Sequence, residues 1–182
     1  PREYQRTKEQ VHNWFDRWEV THLSSGNLPH LDYDNSSYQD LVCNYVESLV
    51  NAGVKAIRID QAKHISLPEE GGNFYRRLIE QFSKKLDIYG EVIFEPAWMV
   101  DKYSNYIIPI TETVANNYNQ CIFFESHDVY YNFNGQNQNT LYDTVQGYKK
   151  CLLQDKYACL FFPRPFDGTW KSDKIREINK LK

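Results

Sequence analysis

No apolar run in the chain approaches the roughly 20 residues needed to cross a bilayer, so no membrane partner is expected. No signal peptide is visible, and the chain starts at Pro1 rather than Met, which leaves localisation open between secreted and cytoplasmic. A basic surplus is also missing: 21 Lys and Arg stand against 24 Asp and Glu, for a formal net charge of −3. Nucleic-acid binders usually carry a positive excess or stripe, so no nucleic-acid partner is expected. Cysteine is sparse, with Cys43, Cys121, Cys151 and Cys159 far apart and no Cys-x-x-Cys among them. No histidine lies at zinc-ligand spacing either, so the cysteines read as scattered buried thiols, Cys121 and Cys159 within apolar strand-like runs. No internal repeat or low-complexity tract interrupts the chain.

What is present suffices for a folded domain. The chain has 182 residues, of which 41 % are apolar, enough for a core and too much for disorder. Aromatics are abundant, with 14 Tyr, 10 Phe and 4 Trp. Their flat apolar faces and polar tips suit sugar rings as well as ordinary cores.

Periodicity supplies the elements. Apolar residues from Tyr38 to Val50 recur at helical spacing, with Asn35 or Ser36 placed to cap the start and Gly53 to stop it. A strand is expected over Val54–Asp60, a helix from about Asn73 to Lys85, and a second strand over Ile88–Ile93. Further strands are expected over Tyr106–Ile110, Cys121–Glu125 and Ala158–Phe162, with a helix over Thr140–Leu153. The basic tail Lys171–Lys182 carries Ile175, Ile178 and Leu181 at helical spacing and reads as a short last helix or a frayed end, with a solvated charged face as the preferred reading. Strands apolar on both faces, alternating with helices, predict a parallel sheet covered by helices.

Acids close three of these strands. Asp60 ends the first, Glu91 lies in the second and Asp128 follows the fourth. In parallel α/β folds the carboxyl ends of the strands share one face, where ligands bind. Three acids there match the needs of glycoside hydrolysis, in which one carboxylate attacks or stabilises the sugar cation and another protonates the leaving oxygen. Each acid singly also reads as a helix cap. Arg58 lies on the same strand face as Asp60 and is placed to hold it ionised. Lys63, His64 and His127 flank the acids as substrate contacts or as plain loop residues. Trp98, Tyr130 and Tyr131 follow strands closely and read equally as sugar platforms or loop packing.

These residues resemble a known family. Ala56-Ile57-Arg58-Ile59-Asp60-Gln61-Ala62-Lys63-His64-Ile65 is similar to the "GFRxDAAKH" segment of the α-amylase family, glycoside hydrolase family 13. Tyr89-Gly90-Glu91-Val92-Ile93 resembles its "GEV" segment, and Phe123-Phe124-Glu125-Ser126-His127-Asp128 its "(V/F)xxHD" segment in the bacterial "ESHD" form. Asn27-Leu28-Pro29-His30-Leu31-Asp32 resembles "LPDLD", and Phe161-Phe162-Pro163-Arg164-Pro165 resembles "FFxRP". The resemblance runs from about Trp18 to Gly168.

It implies a partial TIM (β/α)₈ barrel covering about strands 4 to 8, with residues 1–34 as the loop before strand 4, βα units over 35–170 and a tail helix over 171–182. It implies retaining cleavage of α-1,4-glucosidic bonds in starch- or glycogen-like glucans or malto-oligosaccharides. Asp60 would be the nucleophile, Glu91 the acid/base and Asp128 the transition-state stabiliser. Arg58, Lys63, His64 and His127 would bind substrate.

Three departures from the family pattern stand out. The first three strands and their "DxxxNH" segment have no counterpart, so the chain is expected to depend on the missing barrel half or a partner chain. His30 replaces an acid that often ligates calcium, leaving the His64 backbone oxygen as a doubtful metal ligand. Glu91 and Asp128 lie only 37 residues apart, so barrel helix 6 is expected to be shortened or missing. Alternative readings are a non-catalytic carbohydrate-binding remnant and another family 13 activity, such as an α-1,6-glucosidase or a transglycosylase.

Overall fold

The structure, a computed structural model, describes residues 2–112, 119–126, 141–154, 158–160 and 171–181. The chain divides into two compact units, Pro1–Val92 with Lys102–Pro109, and Ile93–Asp101 with Ile110–Lys182.

The first unit opens with β1 (Gln5–Thr7), α1 (Arg17–His22) and β2 (His30–Leu31), where β1 and β2 pair antiparallel. The sequence offered only a loop here, because α1 is too short to show a period. Its start is fixed by Asp16, whose side chain accepts from the backbone N–H groups of Trp18 and Glu19.

Helix α2 (Ser36–Asn51) runs close to its expected bounds and buries Gln39, Cys43 and Val46 along one stripe. The Asn35 side chain caps it by accepting from Tyr38 N. Its end is a Schellman turn: Val54 N–H reaches Leu49 O at 3.0 Å and Gly53 N–H reaches Val50 O at 2.9 Å. Gly53 has φ +93° there, a conformation that side chains disfavour. Strand β3 (Ala56–Ile59) follows, then two 3₁₀ turns (Ala62–His64 and Pro68–Glu70) and α3 (Phe74–Phe82). Phe74, Tyr75, Leu78 and Phe82 of α3 are buried.

Strand β4 (Asp87–Glu91) pairs parallel with β3, in a register that sets Arg58 beside Tyr89 and Ile59 beside Gly90. β5 (Ile108–Thr111), β6 (Cys121–Phe123) and β7 (Ala158–Leu160) extend a five-stranded sheet in the order β3-β4-β5-β6-β7. The β5–β6 and β6–β7 pairs are parallel. The α/β class with a parallel sheet is therefore as the sequence implies.

One expectation needs correction. β3 is not buried on both faces, since its residues alternate between exposed and half-buried; it ends the described sheet and lacks a neighbour to cover it. A hollow of about 410 Å³ lies beside it, lined by Tyr33, Tyr45, Val46, Leu49, Ile57 and Leu78 among others. The tail takes its short-helix reading, with Ile175 and Ile178 buried and the charged residues beside them exposed. It forms α6 (Asp173–Ile178), whose Ile175 and Ile178 pack with Val145 and Tyr148 of α5 (Leu141–Leu152) in the second unit. Tyr148 OH donates to Asn179 Oδ1 at 2.6 Å and ties the two helices together.

Helix α4 (Ala97–Tyr103) was not read from the sequence. The segment between β5 and β6 is only nine residues long, too short for an ordinary helical crossover. The expected reduction of barrel helix 6 itself falls on residues 113–118, outside the described residues. Cys43 and Cys121 are buried, and Cys151 and Cys159 half-buried. A hydrogen bond with Cys159 draws the Cys151 thiol below its ordinary range.

Close packing at Gly90 brings β4 against its neighbours. A Cβ at this position would lie 2.3 Å from Ile107 Cδ1 and 2.8 Å from Ala62 Cβ. Gly90→Ala is expected to destabilise the chain by about 1–3 kcal/mol through overpacking, read as a lower urea midpoint.

Candidate active site

The β3–β4 register, continued one step, sets Asp60 beside Glu91 at the carboxyl ends of two parallel strands. Arg58, two residues earlier on the same face, joins them. Its Nη1 donates to Asp60 Oδ1 at 2.7 Å and its Nη2 to Glu91 Oε1 at 2.6 Å. One planar guanidinium thus fixes two carboxylates. The second Glu91 oxygen accepts from Gln61 N–H at 3.0 Å. Gln61 reaches it by adopting a left-handed backbone, φ 46° and ψ 40°, which costs a non-glycine residue about 1 kcal/mol. Nothing in the sequence signalled that contribution.

The two acids differ in surroundings. The Asp60 side chain is 71 % exposed, whereas that of Glu91 is only 9 % exposed. Asp60 is open to an incoming ligand. Glu91 is enclosed and accepts one hydrogen bond at each oxygen.

The turn after Asp60 is held from several sides. Tyr75 OH donates to Ala62 O at 2.7 Å. Lys63 O accepts from Arg17 Nη1 at 3.1 Å and from Tyr103 OH at 2.9 Å. Arg17 Nη2 in turn donates to Tyr103 OH at 2.7 Å, and Arg17 forms a forked pair with Glu70 at 2.9 and 3.1 Å. Burial works against the charge on Arg17, but the hydrogen bonds and charge of Glu70 and Tyr103 outweigh it and hold the guanidinium ionised.

Lys63 lies with its Nζ 5.4 Å from the Trp14 ring centre. His64 is 5 % exposed, and its Nδ1–H donates to Val20 O at 2.7 Å. Burial lowers the His64 pKa from 6.5 to about 4; the nearby charges of Lys63, His30 and Arg17 add to this, and the Val20 carbonyl opposes it. His127, Asp128, Tyr130 and Tyr131 lie outside the described residues. Trp98 belongs to the second unit and is 56 % exposed.

Calcium has no suitable seat at the position implied by the resemblance. The His64 carbonyl already accepts from His30 Nε2–H at 3.2 Å, and His30 Nδ1 is buried without a hydrogen-bond partner. A hard cation prefers several oxygen ligands, and this imidazole with one engaged carbonyl does not fit it. Among the described residues no group of three or more His, Cys, Asp or Glu side chains could hold a metal ion.

No family model matches the chain. Among curated proteins, an α-amylase of Butyrivibrio fibrisolvens is 33 % identical over 124 residues, covering 57 % of this chain and 12 % of its own length. The chain is α-amylase-like. In solved structures, the Geobacillus thermoleovorans α-amylase complexed with acarbose matches with a TM-score of 0.64 and 15 % identity, covering 92 % of this chain and 44 % of that one. A cyclomaltodextrin glucanotransferase with a three-domain ABC distribution gives a TM-score of 0.71 at 12 % identity, covering 98 % and 47 %. The α-amylase-like sheet corresponds to part of such a barrel, and the chain spans less than half of either solved structure.

The buried His64 carries a pH consequence. Below pH 6.5 the unfolded chain takes up a proton on His64, while the folded chain does so only near pH 4. Its contribution is therefore present above 6.5 and is lost as pH falls toward 4, to a limit of about 3 kcal/mol. Urea unfolding at pH 7 and pH 4.5 should show a smaller drop for His64→Gln than for the parent chain.

Proposed function

We propose that the chain carries the catalytic carboxylates of a retaining glycoside hydrolase acting on α-1,4-glucosidic bonds of starch- or glycogen-like glucans. The observation that carries this reading is the single Arg58 guanidinium bonded to both Asp60 and Glu91 at adjacent strand ends. Asp60, the exposed acid, attacks the anomeric carbon as the bond to the leaving oxygen breaks. Glu91 gives that oxygen a proton. Water then displaces Asp60 from the sugar, and its proton returns to Glu91. Arg58 holds Asp60 in place through its Nη1 hydrogen bond and aims it. Lys63 contacts the sugar on the leaving side, and Asp128, with His127, completes the set by resemblance.

A reducing-sugar assay on soluble starch tests the reading. Asp60→Asn and Glu91→Gln should each lower the rate by at least about a thousandfold. Equal release by the parent chain and Asp60→Asn would refute catalysis through Asp60. Retardation on a starch gel without any release would favour the non-catalytic binding remnant.

We further infer that the His30–His64 hydrogen bond takes the place of a calcium tie. EDTA or added calcium should then move the melting temperature by less than about 1 °C. A larger, calcium-reversible shift in differential scanning calorimetry would refute it.

A further inference from the structure

Three large aromatic side chains of one short stretch sit in the open, and one of them, Trp14, lies against Lys63. Trp14 is 49 % exposed, Phe15 97 % and Trp18 61 %. Exposed aromatics on a slack loop would carry little meaning, but this loop is fastened. Its base is closed where Ser24 N–H reaches Glu9 O at 2.7 Å and Val11 N–H reaches Ser24 O at 2.9 Å. The Glu19 carboxylate accepts from the backbone N–H groups of both His12 and Asn13 at 2.8 Å. Asn13 Oδ1 accepts from Phe15 N–H at 3.0 Å, and Asp16 caps α1. Arg17, between the exposed rings, is drawn inward to Glu70 and Tyr103. The rings are thus displayed by a backbone with its conformation already set, so a ligand would not have to order it.

Their surroundings narrow the ligand. The Trp18 ring stacks on His22 at 5.0 Å and 11°. The Trp14 and His64 rings meet at 86° with centroids 5.7 Å apart, and the Lys63 ammonium lies 5.4 Å from the Trp14 ring centre. The nearby acids, Asp16 and Glu19, are turned to backbone N–H groups. The surface therefore offers flat apolar faces interspersed with hydrogen-bonding groups, and no single-sign charge. A neutral chain of pyranose rings, apolar on its C–H faces and hydroxylated at its rim, has the complementary pattern.

We propose that Trp14, Phe15 and Trp18 form a stacking platform for glucose rings of an α-glucan, continuous with the Asp60 site through Lys63. This rests on the glucan reading given above. Lys63 would serve both parts: its backbone is three residues from Asp60, and its ammonium lies against the Trp14 ring. The platform would hold sugar units beyond the bond being broken and favour long chains over short ones.

Affinity electrophoresis of the 182-residue chain through gels with and without amylopectin provides the test, using Asp60→Asn so that bound glucan is not consumed. Asp60→Asn should be retarded. Adding Trp14→Ala and Trp18→Ala should weaken binding at least about tenfold, and adding Phe15→Ser alone should weaken it measurably. Circular dichroism should be unchanged in all of them, and Phe15 is too exposed for its loss to unfold the chain. Absent retardation, or equal retardation with and without the rings, would overturn the platform. So would loss of self-association in sedimentation velocity without loss of glucan binding, because the rings would then join copies of the chain. Retardation that depends on the rings, in a chain whose reducing-sugar release is nil, would uphold the platform and overturn the hydrolase reading. Asp60-dependent release with ring-independent retardation would do the reverse.

Discussion

The turn that follows β3 governs the candidate site. Its three successive carbonyls, those of Ala62, Lys63 and His64, are each taken by buried side-chain donors: Tyr75, Arg17 with Tyr103, and His30. The donors come from α1, β2, α3 and α4. A turn satisfied by its own backbone could shift with little penalty. This one can shift only by leaving several buried donors unpaired, each at about 1–3 kcal/mol. The direction of the chain as it leaves Asp60, and with it the placing of Lys63, is therefore a property of the first unit's packing.

Arg58 acts at the other end of the same short stretch. It lies on a strand whose neighbour covers only one side, and it spans from its own strand's acid to that of β4. Because β3 and β4 are in parallel register, the two acids stand level, and the spacing of the fork matches adjacent strands. The left-handed Gln61 completes the arrangement by turning its N–H back on Glu91. Backbone strain, strand register and the guanidinium fork act on the same two carboxylates.

Much of this was legible in the residues. The α2 stripe, its Asn35 cap and its Gly53 stop were readable because helix ends depend on local chemistry. Arg58, Asp60 and Glu91 were readable because side-chain alternation on a strand is fixed. The elements before β2 were not, since α1 and β1 are too short for periodicity and are held by distant partners such as Glu70. Gln61 was invisible because its contribution is a backbone N–H. Trp14 and Phe15 could have been noticed as large apolar residues inside the polar turn Asn13–Asp16. In the tail the helical spacing of Ile175 and Ile178 was readable, and only the α5 surface shows what they cover.

The closure of the loop at Ser24 separates two jobs along the chain. Between Glu9 and Ser24, the backbone leaves and returns to nearly the same place, so residues at its tip can be exchanged without altering where the chain re-enters the fold. Arg17 is an exception, because its side chain serves both the loop and the turn beside Asp60. Such an arrangement lets surface preference drift by substitution at the tip while the reactive geometry stays largely under separate control, and it makes Arg17 a position where the two histories are coupled.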